Sequence, residues 1–203
     1  MIRIGTYSLG SSANFVLLSA LAVACFLIPS LAAAQDTKPA VPAQYAATAI
    51  GQGGSTSGKT FGLNIYMDTL TDDSKIQELV GILKKNGQTG LVNALQDMKD
   101  VGRVAPNGSV GTGLRIVRMR PTSNGGSHIV LVTDRPISFG ELYNSTRSRD
   151  YPITFIVMDL DKDGKGTGKF APLCKVKFNK KNELEIENYG QKPFRLVNIY
   201  RQK

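Results

Sequence analysis

Three aspartates at alternate positions form the one cluster of potential metal ligands in the sequence. They are Asp159, Asp161 and Asp163, and Gly164 follows the last of them. Carboxylates at positions 1, 3 and 5 with a glycine at position 6 match the first half of a calcium-binding loop. Position 12 is Phe170 rather than a glutamate, which excludes an EF-hand. Two hypotheses remain: a calcium site completed by another acid or carbonyl, or a solvated turn.

Two arginines share one face of a predicted strand. Arg118 and Arg120 lie two residues apart within residues 114–121, so their side chains are expected to point the same way as Leu114 and Ile116. Two guanidinium groups on one face can clamp a carboxylate or a phosphate. Charged side chains are also common on solvent-exposed faces, which is the alternative. We take these two arginines as the candidate ligand-binding residues.

The segment GGSTSGKT, which begins at Gly53 and ends at Thr60, matches the phosphate-binding P-loop pattern. A working P-loop needs a helix directly after its Lys-Thr pair, because the N–H groups at the start of that helix hold the phosphates. Here residues 61–67 alternate with a period of two, which indicates a strand. The segment is therefore expected to connect two strands, and no nucleotide is expected as a partner.

Catalytic side chains are scarce. The single histidine, His128, begins an apolar segment, and the neighbouring Ser127 points to the opposite face of the strand. A Ser-His-Asp triad would have to use this histidine, so a structural or exposed role is favoured. No catalytic residue is assigned, and the sequence favours a protein that is not an enzyme. A hydrolase whose carboxylates are brought together by the fold is the alternative.

The amino terminus has the features of a secretory signal peptide. Within residues 1–34, Arg3 is the only charged residue, an apolar run occupies residues 15–31, and three alanines close the segment. This order predicts cleavage after Ala34 and a secreted or periplasmic protein. A retained membrane anchor is the alternative. The apolar run is shorter than the usual span of about 20 residues, however, and Pro29 interrupts it.

The remaining chain predicts one domain. Residues 35–44 contain two prolines and two alanines, which is typical of a flexible leader, and residues 45–203 are long enough for a single apolar core. Cys25 would be lost with the signal peptide, so no intramolecular disulfide can form. Cys174 lies on the packed face of a predicted strand. We expect it to be a buried structural thiol rather than a reactive one or a member of a zinc site.

The chain is basic, with 25 Lys and Arg residues against 16 Asp and Glu residues and a formal net charge of +9. Such an excess attracts anionic partners over long range, which suggests an anionic component of the cell envelope or a lipid. No block of five like charges occurs, and no nucleic acid is expected as a partner. A solvated surface that keeps the protein soluble is the alternative explanation of the charge.

A helical pattern replaces the strand pattern within residues 71–100. Apolar residues recur at i, i+3, i+4 and i+7 from Ile76, Thr71 can cap the helix, and Gly87 can stop it. A second apolar stripe follows from Leu91. The two stripes predict a helical hairpin that packs on the sheet. A groove for a partner helix or a lipid is the alternative use of such stripes.

Residues 151–201 predict four successive antiparallel strands. Residues 153–158 are apolar throughout, which indicates a central strand. A turn around residues 179–182 would place Val176 opposite Leu184. The same register would set the lysines of one strand opposite the glutamates of the next on the other face.

Three segments, VGRVAPNGSVG, VLVTDRPISFGELY and ELEIENYGQKPFRL, resemble those of a family of small bacterial secreted proteins with no assigned activity. The resemblance covers most of the chain after residue 34 and implies no site or cofactor. The residues themselves predict an α+β fold. We expect an antiparallel, β-rich barrel or sandwich of about nine strands with one inserted helical hairpin.

The leading functional hypothesis is a non-enzymatic binding module for an anionic or amphipathic ligand of the cell envelope. A hydrolase is the first alternative, and a structural or interaction protein without a small ligand is the second. An apolar pocket with Arg118 or Arg120 at its mouth would favour binding, whereas two carboxylates converging in a cleft would favour the hydrolase. Calcium is the only cofactor that the sequence suggests.

Overall fold

The computed structural model describes residues 2–3, 41–137, 150–189 and 192–202. The predicted signal peptide and leader lie outside this part of the chain, apart from residues 2–3 and 41–44. The described residues form eleven strands, one α-helix and one short 3-10 helix, Gly54–Thr56. The strands are β1 (Ile2–Arg3), β2 (Ala43–Ile50), β3 (Thr60–Met67), β4 (Gly102–Pro106), β5 (Thr112–Leu114), β6 (Ile116–Pro121), β7 (Ser127–Thr133), β8 (Ile153–Leu160), β9 (Gly166–Phe178), β10 (Leu184–Asn188) and β11 (Phe194–Arg201), and the helix is α1 (Asp73–Gln96).

Nine of the strands form one continuous antiparallel path, in the order β5-β4-β3-β2-β11-β9-β8-β7-β6. The long strand β9 also pairs through its carboxyl-terminal half with β10, which in turn pairs with β1. Strands β7 and β8 are central, because each has a hydrogen-bonded neighbour on both sides. The predicted antiparallel, β-rich fold is therefore confirmed, whereas a sandwich is not.

The two ends of this path belong to one run of chain. Only Arg115 separates β5 from β6. Its backbone N–H donates to the carbonyl of Val132 on β7 at 2.9 Å, and the N–H of Val101 donates to the carbonyl of Leu114 at 2.8 Å. The same run therefore lies beside β4 at one end and beside β7 at the other. The sheet is nearly closed and barrel-like.

The side chain of Arg115 joins both sides of this seam. Its Nε lies 3.2 Å from Oδ1 of Asp134, its Nη1 lies 2.9 Å from Oδ1 of Asp100, and it also donates to the carbonyl of Met98. Asp134 is buried. Burial raises the pKa of this carboxyl, but the hydrogen bond and charge of Arg115 outweigh burial, so the pKa lies below its usual value.

The inner face of the sheet holds the larger apolar core. Strand β2 buries every second residue, as a half-buried strand should. At the centre, the rings of Phe170 and Phe194 lie 5.6 Å apart, and Phe61 packs edge-on against both. The strand predicted for residues 61–67 is confirmed as β3.

Helix α1 packs on the outer face of the sheet and forms a second apolar cluster with β7 to β10. Its buried residues, Leu79, Leu83, Leu91 and Leu95, repeat with helical spacing. Gly87 has φ 66° and ψ −166°, which breaks the helix at the position where the sequence predicted a stop. The structure nonetheless has one helical element here, and a separate helical hairpin is not confirmed.

The start of α1 differs from the predicted cap at Thr71. The N-cap residue is Asp72, whose side chain forms no capping hydrogen bond. Thr71 instead binds β6: its N–H donates to the carbonyl of Val117 at 2.8 Å, and its Oγ1 accepts from the N–H of Val117 at 3.0 Å. These bonds hold the first turn of the helix beside β6.

The pairing of β9 with β10 differs by two residues from the predicted register. Leu184 lies opposite Phe178 rather than Val176, and Lys177 lies opposite Glu185, with 3.6 Å between their charged groups. The reason is the turn, where Asn182 adopts φ 57° and the Asn179 N–H donates to the carbonyl of Glu183. A shift of two keeps every side chain on its predicted face.

The predicted face of Leu114 was wrong. This side chain is fully buried in the inner core, whereas Ile116 packs against the outer cluster under α1. The alternation changes phase at Arg115, where one strand ends and the next begins. Arg118 and Arg120 share the outer face with Ile116, as expected for alternate residues.

Helix α1 carries charged residues along its length, including Lys75, Glu78 and Lys84. No helix in the described part of the chain is long and apolar enough to cross a membrane.

Candidate functional site

A cleft of about 410 Å³ lies between helix α1 and the outer face of the sheet. Its walls are mainly apolar, and the polar side chains gather at its margins. The helix contributes Ile76, Leu79, Val80, Leu83, Leu91 and Leu95. The sheet and the β9–β10 turn contribute Ile116, Arg118, Arg120, His128, Val130, Val132, Phe155, Val176, Phe178, Asn182, Glu183 and Leu184.

The strand register sorts the outer face of the sheet, part of which forms the floor of the cleft, into rows that run across the strands. The first row under the helix is apolar and consists of Ile116, Val132 and Phe155. The second row consists of Arg118, Val130 and Val157, and the third consists of Arg120, His128 and Asp159. Polarity therefore increases from the helix outwards, so the cleft has an apolar interior and a charged margin.

The break at Gly87 divides α1 into two halves and sets their positions over the cleft. The half before the break begins at Asp73, which contacts Arg118 of β6. It reaches Lys84, whose Nζ lies 5.1 Å from the ring centroid of Phe178 on β9.

The residue after the break, Gln88, fastens the second half to the sheet. Its Oε1 accepts from the N–H of Val176 at 2.8 Å, and its Nε2 donates to the carbonyl of Asp150 at 3.0 Å. These bonds connect the second half of α1 to backbone groups of β9 and of the segment before β8.

Arg118 already has an anionic partner. Its Nη2 lies 2.5 Å from Oδ1 of Asp73, the first residue of α1. The arginine side chain is 24% exposed and that of Asp73 is 79% exposed, so the carboxylate faces solvent while the guanidinium group faces the cleft margin. This contact spans the cleft from helix to sheet.

Arg120 lies next to Arg118 on the same strand face and is exposed. Among the described residues it forms no ion pair. Its cross-strand neighbour, His128, is paired instead with Asp159 of β8, with 2.5 Å between Nδ1 and Oδ1. The structure thus brings both predicted arginines to the cleft and leaves Arg120 as the cation there without an ion-pair partner in the described chain.

The three predicted metal ligands have separate partners. Asp159 pairs with His128, Oδ1 of Asp161 accepts from the N–H groups of Asp163 and Lys165, and Asp163 pairs with Lys162. No group of three or more potential metal ligands forms within the described ranges. The calcium site stays a prediction.

The P-loop-like segment forms a turn between two paired strands. The N–H of Gly51 donates to the carbonyl of Lys59 at 2.9 Å, and β3 begins at Thr60. A strand therefore follows the Lys-Thr pair, where a phosphate-binding loop would need a helix.

A second depression, of about 590 Å³, opens at the ends of β2, β3 and β11. Asp68 and Arg201 both lie in its lining, so it shows no preference for one sign of charge. It contains little apolar surface apart from Pro42, Ala43 and Met67. The cleft under α1 is the better site for an amphipathic ligand because it combines an apolar interior with a cationic margin.

The sequence did not identify two residues that shape this margin. Asp73 was not singled out as a residue of the site, and His128 was expected to be structural or exposed. Their partners, Arg118 and Asp159, are 45 and 31 residues away in the chain, so only the fold brings them together.

Comparison of the chain with protein-family models, with curated proteins and with solved structures finds no match. The resemblance to small secreted bacterial proteins stays a prediction, and the functional argument depends on the site itself.

Proposed function

We propose that this protein is a secreted or periplasmic, non-enzymatic module that binds an anionic amphipathic ligand of the cell envelope. The main support for this proposal is the cleft under α1, which has an apolar interior and has Arg118 and Arg120 at its margin. In this proposal the sheet acts as a partly open barrel, and the two halves of α1 act as a helical hairpin over the cleft. The apolar chain of the ligand lies under the helix, and its charged group lies at the arginines.

The dimensions and chemistry of the cleft support this ligand class. Its volume of about 410 Å³ falls within the range of about 300–1,000 Å³ that is typical of small-molecule sites. Each methylene group buried there would contribute roughly 0.8 kcal/mol. A carboxylate or phosphate can form charge-assisted hydrogen bonds to the guanidinium groups at the margin. The formal net charge of +9 would attract such ligands, and anionic membrane surfaces that contain them, over long range.

The alternatives receive less support from the described residues. Glu183 is the only carboxylate among the residues that line the cleft, so a pair of catalytic carboxylates does not converge there. A structural protein without a small ligand would not need an apolar cleft with cations at its margin. A hydrolase and a purely structural protein therefore remain second to binding.

Blocking the cleft tests the proposal. Val130 lies in the floor of the cleft, in the row that holds Arg118 and beside the row that holds Arg120. Replacing it by phenylalanine should fill the space that the apolar chain needs. We expect Val130→Phe to weaken binding of dodecanoate at least about tenfold, which corresponds to losing about two buried methylene groups. Displacement of a fluorescent fatty acid, followed by calorimetry, measures the affinity.

Val157→Phe is the matched control. Val157 is the cross-strand neighbour of Val130 on the same face but does not line the cleft. The same substitution there should leave the affinity unchanged. Absence of dodecanoate binding, together with no lipid retained by the purified protein in native mass spectrometry, would contradict the proposal. Equal effects of the two substitutions would place the ligand elsewhere.

A further inference from the structure

The contact between Asp73 and Arg118 places a carboxylate where a ligand's anionic group would bind. The distance between Oδ1 and Nη2 is 2.5 Å, and the two residues belong to the helix and to the floor of the cleft, respectively. Thr71 fixes this arrangement, because its two hydrogen bonds to Val117 hold the start of α1 beside β6. The carboxylate is thus held close to the arginine by its neighbours in the chain.

We propose that Asp73 is an internal competitor that occupies Arg118 and must leave it before the ligand's charged group can bind there. This inference rests on the proposed function, because it assigns a regulatory role at the same cleft. A carboxylate of the protein and a carboxylate or phosphate of the ligand need the same donors on the guanidinium group. Both cannot occupy the same Nη2 at the same time.

Release of Asp73 costs little. Its side chain is 79% exposed, so solvent can hydrate the carboxylate after it leaves Arg118. It would also remain in the first turn of α1, where a negative charge interacts favourably with the helix dipole. Exposed ion pairs are weak, which suits a contact that a ligand displaces.

The two arginines therefore have different roles. Arg120 forms no ion pair with a described residue and can attract the ligand's charged group first. Arg118 contributes only when the incoming group displaces Asp73. Anions that bind a guanidinium group more strongly than an exposed carboxylate does, such as a phosphate group, should be favoured over weakly binding anions.

Neutralising the competitor tests this inference. Asp73→Asn keeps the size of the side chain and removes its charge, so dodecanoate should bind about twofold to fivefold more tightly, the range expected for an exposed ion pair. Dodecanol carries no charge and should bind the variant and the unaltered protein equally. Calorimetry or displacement of a fluorescent fatty acid measures both ligands.

Asp72→Asn is the matched control. It makes the same change in net charge one residue earlier, and the Asp72 side chain forms no capping hydrogen bond. It should leave the affinity for dodecanoate unchanged, whereas Arg120→Gln should weaken it in every background.

The outcomes separate this inference from the proposed function. If the unaltered protein binds dodecanoate and Asp73→Asn binds it no more tightly than Asp72→Asn does, Asp73 is not a competitor and the binding function still holds. If dodecanoate and dodecanol bind neither the unaltered protein nor Asp73→Asn, the proposed function fails and the inference fails with it.

Discussion

Three cationic or potentially cationic side chains line the margin of the cleft, and their existing contacts determine what each can offer a ligand. Arg118 is paired with Asp73, and His128 is paired with Asp159. Arg120 has no such partner in the described chain. A ligand's anionic group therefore meets one uncompensated charge, not three. The spacing of the two arginines in the sequence could not predict that one is paired and the other is not, because both occupy equivalent positions on one strand face.

At the same scale, Cys174 should be chemically inert in the folded protein. Burial raises the pKa of its thiol to about 12, and its Sγ donates to Oδ1 of Asn188 at 3.2 Å. Because of this raised pKa, the thiolate fraction at pH 8 should be on the order of a thousandfold lower than in an unfolded chain. The thiolate is the reactive form, so the folded protein should react far more slowly.

The measurement is the rate at which a thiol reagent such as dithiobis-nitrobenzoate labels the protein when Cys25 is replaced by serine. Labelling should be very slow under native conditions and complete within minutes in urea. Fast labelling of the native protein at pH 8 would show that the thiol is accessible and would contradict its structural role.

The sequence could predict that this thiol is buried, but it could not predict the ion pairs of the cleft. Alternation alone places Cys174 on a packed face, because strand periodicity is local information. The contact of Asp73 with Arg118 depends instead on how α1 crosses the sheet. The face shared by Arg118 and Arg120 was predictable for the same local reason. Packing of a helical element on the sheet was also predicted, but not that it would cover this face.

At the scale of elements, helix α1 contains two exposed glycines with opposite expected responses to alanine. Gly81 lies within regular helix with open space around its Cβ position, so Gly81→Ala should stabilise the protein by roughly 0.5–1 kcal/mol. Gly87 has φ 66° and ψ −166°, a backbone conformation essentially confined to glycine. Gly87→Ala should therefore destabilise the protein by about 1–3 kcal/mol.

Urea denaturation of both variants measures this difference, and each variant controls for the other because the side chain added is the same. The change at Gly87 should also weaken dodecanoate binding, since straightening the helix would move Leu91 and Leu95 relative to the floor of the cleft. Equal stability of the two variants would show that the break at Gly87 is not needed for folding.

The elements were predictable where one local pattern sufficed. The strands β3, β7 and β8 and the break at Gly87 follow from periodicity or turn chemistry. The predicted register of β9 with β10 was wrong by two residues, because the conformation of Asn182 sets the length of the turn between these strands. Thr71 was expected to cap the helix, but it forms hydrogen bonds with Val117 instead. The sequence could not predict this contact, because it does not show which backbone groups of a distant strand lie near Thr71.

At the scale of the whole molecule, the seam at Arg115 closes the sheet. The arginine side chain is 14% exposed, and it compensates the buried carboxylate of Asp134 from the opposite side of the seam. Replacing it by methionine keeps much of the apolar packing but leaves Asp134, among the described residues, with Arg135 as its one ion-pair partner, at 3.5 Å. Removing one partner of a buried ion pair costs about 3–5 kcal/mol, and Arg135 should keep the loss near the lower value.

The pH dependence distinguishes loss of the ion pair from simple loss of packing. In the unaltered protein the pKa of Asp134 is below the usual 3.8. Its contribution to stability is therefore complete above that pH and is lost as the pH falls through the lowered pKa. In Arg115→Met, burial without the arginine should raise the pKa above its usual value. The carboxyl then takes up a proton more readily in the folded state, and the variant recovers stability as the pH falls from 7 towards 4.5.

Urea denaturation at pH 7 and at pH 4.5 should show a smaller difference in free energy of unfolding between the two proteins at the lower pH. Adding Asp134→Asn to Arg115→Met removes the uncompensated charge, so this double variant should be more stable than Arg115→Met at pH 7 and should show no such recovery. A difference that is the same at both pH values would mean that Arg115 supports the seam through packing and its bonds to Met98 and Asp100. In that case closure of the sheet would not depend on the charge of Asp134.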